Sequence, residues 1–262
     1  MPSSADDLLR SGDIVGARAV LVSQIKRAPQ DQAARMFLFQ LLAIVGEWDK
    51  AESQLRALAQ LSPEAQMLAA VYNKAIGAER ARQQAFAGQA PFNVLVPSSP
   101  WITVLADSLA AFSRGDSAKG EALRDEAFDA APDTPGELNE VKFGWIADAD
   151  PRFGPAIELI IDGNWGLVPF EAIAELRSEG PRDVRDLMWL PVELRMRSGQ
   201  SAAGFLPARY PGSESAEPPF QLARGTDWID SPAGQIGLGQ RIFTLSDSSE
   251  VDVLSLRQLS LL

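Results

Sequence analysis

Gly12-Asp-Ile-Val-Gly-Ala17-Arg-Ala-Val-Leu21 and Gly46-Glu-Trp-Asp-Lys-Ala51-Glu-Ser-Gln-Leu55 align at an offset of 34 residues. Gly12 matches Gly46, Ala17 matches Ala51 and Leu21 matches Leu55; the register extends to Pro29 and Pro63. Thirty-four residues is the period of the tetratricopeptide repeat, a helix-turn-helix unit. The residue types fit that unit. Gly12 and Gly46 suit the left-handed turn that ends a first helix. Asp13 caps the helix that follows, and Glu47 is a poorer cap. Small Ala17 and Ala51 let two helices approach, and the prolines cannot continue the second helix.

The pattern extends outward from this pair. Ile14, Ala17, Leu21 and Ile25 recur at helical spacing, as do Trp48, Ala51, Leu55 and Leu58, so each set makes one apolar stripe. Such stripes ordinarily hold neighbouring helices together. A long helix is predicted over Glu64 to Phe86. The segment from Gly88 to Pro100, with three prolines and two serines, breaks the array. A weaker third copy follows, with Trp101 to Ser113 as its first helix, Gly115-Asp116 at its turn and Pro132 after it. The spacing therefore predicts a short, irregular helical array with a curved open face.

Composition narrows the function. The 262 residues carry 24 basic and 35 acidic side chains, a net charge of −11. Up to residue 140 there are 13 basic and 18 acidic residues; after it there are 11 and 17. No basic face is segregated into either half, which argues against nucleic acid and anionic membrane as partners. There is no Cys and no His. Disulfides, thiolate sites, cysteine nucleophiles and a Ser-His-Asp triad are excluded. The N-terminal Met1-Pro-Ser-Ser-Ala-Asp6-Asp7 carries acid where a secretory leader carries Lys or Arg, and no apolar run follows. Met36 to Val45 is about half the length that spans a bilayer. These features predict a cytoplasmic chain.

Composition shifts around Ala131-Pro-Asp-Thr-Pro-Gly136. The reading is an α+β chain: an all-α tetratricopeptide-like domain over 1–135, then a small, mostly antiparallel β-rich domain over 136–262. Ile157 to Asp162 and Trp165 to Pro169 read as a hairpin around Gly163-Asn164. Leu187 to Arg197 reads as a strand that Pro191 restricts to an edge or a bulge. Gly204 to Tyr210 and Val251 to Leu256 read as further strands, the last closing the domain. Phe170 to Arg177 fits either a short helix or a strand, and Pro211 to Pro219 a polar loop.

Three segments in this half carry chemistry-bearing residues. Asp148-Ala-Asp150-Pro-Arg152 sets two carboxylates beside a guanidinium. A metal loop would need more oxygen ligands and a closing Glu, which is missing, so a structural turn with a salt bridge is the favoured reading. Pro181-Arg182-Asp183-Val-Arg185-Asp186 alternates charge, which suits either fixing the chain's own loops or meeting a partner's charges; the internal role is the favoured reading. Gly237-Leu-Gly-Gln-Arg241 lacks the Lys-Ser/Thr of a phosphate loop. Trp145, Trp165, Trp189 and Trp228 suit either a core or an interface.

Taken in order, these segments resemble the ImpE/TagJ family of type VI secretion accessory proteins. The residues carrying the likeness are Trp145-Ile-Ala-Asp148-Ala-Asp150, Arg152, Gly154-Pro155, Val168-Pro-Phe170, Pro181-Arg182-Asp183, Asp186-Leu-Met-Trp189, Pro207-Ala-Arg209-Tyr210-Pro-Gly-Ser213 and Gly237-Leu-Gly-Gln-Arg241. The resemblance implies a non-enzymatic adaptor with no cofactor. It implies binding to the N-terminal helix of the small sheath subunit, TssB, and a link to the ATPase ClpV. It leaves the location of the groove open. Phe37, Leu38, Leu41 and Trp101 are candidate contacts because first helices of repeats commonly line the inner curve. The motif-rich second half is the rival location. Two other classes stay open: a carboxylate-dependent enzyme using Asp148, Asp150 and Glu158, and a self-assembling scaffold.

Overall fold

The structure is a computed structural model and describes residues 4–262. Met1–Ser3, part of the segment read for a leader, lie outside the described residues. Seven helices come first: α1 (Ala5–Arg10), α2 (Ile14–Arg27), α3 (Gln32–Ile44), α4 (Trp48–Ala59), α5 (Pro63–Phe86), α6 (Pro100–Ser113) and α7 (Ser117–Ala130). The turns are set by the residues that mark the period. Gly12, Gly46 and Gly115 have φ of 88°, 70° and 81°. At Gly46 the positive φ favours glycine, and a Cβ would press on Glu214 Cγ at 3.0 Å. Asp13 accepts the Gly16 amide at 2.7 Å, while Glu47 makes no cap bond and instead accepts from Arg18 at 2.5 Å. The two matched prolines part company. Pro29 stands in the turn after α2, whereas Pro63 opens α5 behind its cap Ser62, where a missing amide hydrogen costs nothing.

After Ala130 the chain turns to strands: β1 (Gly136–Leu138), β2 (Val141–Phe143), β3 (Ile146–Asp148), β4 (Ala156–Ile161), β5 (Asn164–Pro169), β6 (Ile173–Arg177), β7 (Trp189–Met196) and β8 (Ser201–Pro207). A short helix α8 (Pro218–Gln221) precedes β9 (Thr226–Ser231), β10 (Gly234–Gly239), β11 (Ile242–Leu245), β12 (Glu250–Asp252) and β13 (Gln258–Leu261). Eight strands form one sheet in the order β2-β1-β13-β6-β7-β8-β4-β5; β12-β11-β3 and the β9-β10 hairpin are separate. All these ladders are antiparallel. The α+β class and the antiparallel sheet are as expected.

Several details differ from the sequence reading. Pro191 lies in β7, a central strand, because the β6 ladder stops at Glu193 and leaves the proline paired only with β8. Phe170 to Arg177 is both of its alternatives: a 3-10 turn over Phe170–Ala172, then β6. Val251 does not begin the closing strand. The chain breaks into a 3-10 turn at Val253–Ser255, and β13 closes the sheet. The Pro211 to Pro219 loop contains a 3-10 turn and the start of α8.

Burial is divided between two cores. Strand β7 alternates, sending Leu190, Val192, Leu194 and Met196 against Phe243 and Leu245 of the small sheet. Its Trp189 points the other way, into the helices. There it stacks on Trp48 at 6.3 Å and meets Tyr72 at 5.7 Å, with Phe39 beyond Tyr72 at 5.7 Å. Helix α3 packs against the 3-10 turn at Val184–Leu187. The sheet therefore fills the helical face that the array was expected to leave open. Leu38, Leu41 and Trp101 are at most 5% exposed and Phe37 is half-buried. Their role in this structure is packing, and the expectation that they line an accessible groove is corrected.

Candidate functional site

Asp148, Asp150, Arg152, Arg209, Tyr210 and Arg241 of the motif series converge with Glu158 on one buried cluster between α5 and the sheet. Glu158 on β4 is its centre. Arg82, about two turns into α5's second half, grips it with Nε and Nη2, both at 2.8 Å. The Trp165 indole donates to the same carboxylate at 2.8 Å, and Arg241 forms a further ion pair with it. Arg241 also pairs with Asp148 and donates to the Pro207 carbonyl at 3.1 Å. Its guanidinium lies 4.8 Å from the Phe153 ring centre and 4.9 Å from that of Tyr210. Asp148 accepts further hydrogen bonds from the Tyr210 hydroxyl at 3.0 Å and the Asp150 amide at 2.9 Å. Asp150 is held by Arg152 at 2.6 Å and by the Gly237 amide at 2.8 Å. Gly237 must be glycine, since a Cβ there would sit 2.2 Å from the Tyr210 ring.

The cluster extends into the repeat. Trp189 donates to Glu79 at 3.0 Å, and Arg82 donates to the Arg209 carbonyl at 3.0 Å. The Arg209 side chain reaches the Ile44 carbonyl at 3.0 Å, where the last carbonyls of α3 attract a cation. Four guanidiniums (Arg82, Arg152, Arg209, Arg241) thus balance four carboxylates (Glu79, Asp148, Asp150, Glu158), all buried. Every motif acid is mated, so the cluster joins layers and leaves no carboxylate free to act on a ligand. Asp183 and Asp186 serve local structure: Asp186 accepts the Arg182 and Asp183 amides, and Asp183 pairs with Arg185. Trp145 stays 38% exposed.

Sequence reasoning missed Glu79 and Arg82. Their signal was present: both lie at helical spacing with Ala75, Ile76, Ala78 and Ala85, so charges sat on the apolar face of a long helix. Arg241 stands in the sequence at the end of a glycine-rich motif, with nothing beside it to mark its partners.

The cluster makes folding sensitive to pH. For Glu158 burial pushes upward, but Arg82 and Arg241 outweigh it and hold the group at about 2. For Asp148 burial wins over the pull of Arg241 and raises it to about 6. Glu158 therefore contributes stability above its unfolded value of 4.5 that is lost as pH falls toward 2. Asp148 has the opposite sign: its contribution is present below 3.8 and is lost as pH rises through 6. An Asp148→Asn variant is therefore expected to gain melting temperature relative to the parent as pH rises from about 5 to 7.5, because only the parent must ionise this buried carboxyl. Paired thermal melts at the two pH values check this; a difference between variant and parent that does not change with pH would contradict it.

A surface groove lies along α5 and the sheet. It encloses about 800 Å³, with Val71 and Ala75 of α5 on one side, Pro191 and Phe205 at its floor, and Arg182 and Arg257 on the far wall. Among the described residues no set of acids is placed to hold a metal ion, and no helix is long and apolar enough to cross a membrane.

A helical-repeat layer locked by a closed charge cluster to one face of an antiparallel sheet, with a smaller sheet sharing the core on its other face, defines an α+β protein whose open features are surfaces. The chain belongs to the ImpE/TagJ family of type VI secretion accessory components. The ImpE protein family matches residues 140–260. The type VI secretion system accessory component TagJ of Pseudomonas aeruginosa is 38% identical over 97% of this chain and 90% of its own length. A crystal structure of a Vibrio parahaemolyticus protein superposes with a TM-score of 0.87 at 25% identity, covering 98% of this chain and 97% of that one.

Proposed function

We propose that the protein is a non-enzymatic, cytoplasmic adaptor of the type VI secretion machine. It binds the N-terminal helix of the small, TssB-like sheath subunit and so influences how the ClpV ATPase handles sheath. One observation carries this reading over the enzyme alternative. Asp148, Asp150 and Glu158, the acids that such an enzyme would use, are each ion-paired to arginine and no more than 3% exposed. A general acid or base must reach its substrate, and these carboxylates reach only arginine, tryptophan, tyrosine and backbone groups. The likeness to TagJ supports placing the surface in this machine.

Calorimetric titration with a peptide spanning the N-terminal helix of the cognate sheath subunit tests the reading. One-to-one binding with Kd of about 10 μM or tighter is expected, equivalent to roughly 7 kcal/mol. Light scattering before the addition should give a monomer. Absence of binding at 1 mM peptide, about 4 kcal/mol, would end the adaptor reading. A large assembly without peptide would favour a scaffold instead.

A further inference from the structure

The helical layer covers only part of the eight-stranded sheet, and strand register lays out what remains. One row runs across Gln258, Arg177, Glu193 and Ala203. The next row toward α5 is Pro191, Phe205 and Ile160. The first row is largely polar, as a solvated face should be. The second is apolar, yet Pro191 is exposed and Phe205 only half-buried. It meets Val71 and Ala75 along the groove beside α5. Val71 is 47% exposed, and Met67, one turn earlier on the same helix, is 74% exposed. Single exposed apolar residues need no explanation. Val71 lines the groove, and Met67 continues the exposed apolar surface of α5 one turn beyond it.

The walls decide what fits there. Strand β7 is bonded to β6 and β8, and β8 to β7 and β4. The amides and carbonyls of α5 are spent within the helix. Only the short stretch of β7 beyond Glu193 lacks a β6 partner, and Pro191 there has no amide hydrogen to give, so an extended segment would lose water from most of its own backbone without replacement. A helix arrives with its backbone already bonded and needs only an apolar stripe. The charges add a second criterion. Lys74 pairs with Asp162 at 2.6 Å, and Arg182 pairs with Glu179. Arg177 and Arg195 both turn to Glu175, at 2.6 and 3.5 Å. Of the groove charges without an ion pair among the described residues, Asp186 is spent on the Arg182 and Asp183 amides, and the Arg257 guanidinium on the Leu254 and Leu256 carbonyls. The other is Glu193, which lies directly across the ladder from Arg177.

We propose that this groove docks an amphipathic partner helix beside α5, completing the helical layer. Its apolar stripe lies on Val71, Pro191 and Phe205, and a Lys or Arg on its flank pairs with Glu193. The protein's net charge of −11 favours the same basic flank. The proposal rests on the adaptor reading and adds the place and the polarity of the contact.

The probe is the fluorescein-labelled N-terminal helix of the cognate small sheath subunit, titrated against the full chain and followed by anisotropy. The variants are Val71→Asp, Ala203→Glu and Glu193→Lys, with Val15→Asp on α2 as a control at a position 79% exposed. All four sites are at the surface, and unchanged melting temperatures verify intact folding. Val71→Asp is expected to weaken binding about tenfold or more, the loss typical of a central apolar contact, and Ala203→Glu, in the polar row beside the stripe, severalfold. Glu193→Lys should weaken it severalfold at low salt and less at high salt. Val15→Asp should bind as the parent does. Parent binding that all three groove variants retain within twofold would overturn the location while leaving the adaptor reading intact. Absence of binding by the parent would overturn both.

Discussion

Replacing Arg241 with methionine should remove about 3–5 kcal/mol of folding free energy at pH 7.5, the loss seen when one partner of a buried ion pair is deleted. Arg241 is fully buried and is the side chain that joins Asp148 to Glu158. The methionine keeps much of the volume between the Phe153 and Tyr210 rings but strands charge. Glu158 retains Arg82, whereas Asp148 keeps only the Tyr210 hydroxyl and the Asp150 amide. Asp148 therefore carries most of the loss. It already sits high, at about 6, from burial, and removing its cation raises it further. The deficit should shrink as pH falls to about 5, because the stranded carboxyl takes up a proton. Urea unfolding followed by tryptophan fluorescence at the two pH values reads both effects. A loss under 1 kcal/mol, or one independent of pH, would mean that the cluster does not join the layers as described.

Trp189→Ala should cost about 3–5 kcal/mol through the cavity it leaves. At about 2–4 °C per kcal/mol for a chain of this size, the melting temperature falls by roughly 6–20 °C. The side chain is fully buried between Trp48, Tyr72 and Phe205, and its indole donates to Glu79. The substitution removes the contact by which β7 fills the repeat and leaves Glu79 with Arg82 at 3.5 Å as its remaining side-chain partner. Trp145→Ala supplies the contrast within the same motif series. Trp145 is 38% exposed, and its removal should stay within about 0.5 kcal/mol. Equal effects at the two positions would refute the claim that the repeat's inner face is closed by Trp189.

The helical half was legible because its signals are local. Each 34-residue step repeats a turn that only glycine makes easily, and the apolar stripes state which face is buried. Those stripes do not state what buries them. Leu38, Leu41 and Trp101 read equally well as groove or as core, since an apolar residue looks the same under a partner helix and under the chain's own sheet. The second half was legible as strands wherever apolar runs were bounded by turns, as at Asp162-Gly163. It failed where pairing between distant segments sets the outcome. β1, β2 and β11 are only three or four residues long, and Pro191 is admissible in a central strand only because β6 is short. The candidate site shows the same division. Asp148, Asp150 and Arg152 announced a salt-bridged turn by proximity, and Arg152 does hold Asp150. The pairing of Glu158 with Arg82 spans 76 residues and that of Arg241 with Asp148 spans 93. No local pattern announces such partners.

The cluster and the groove are physically connected. Arg82 and Val71 lie on the same helix, so the grip on Glu158 also positions the wall against which a partner helix would rest. Hydrogen exchange of the full chain, with and without a saturating peptide of the cognate sheath subunit's N-terminal helix, measures the consequence at every backbone amide. Slowed exchange is expected in α5 around Met67 to Ala75 and in the stretch from Pro191 to Phe205, with the β9-β10 hairpin and α2 unchanged. Protection confined to α1–α4 or to that hairpin, with none along α5, would contradict the account.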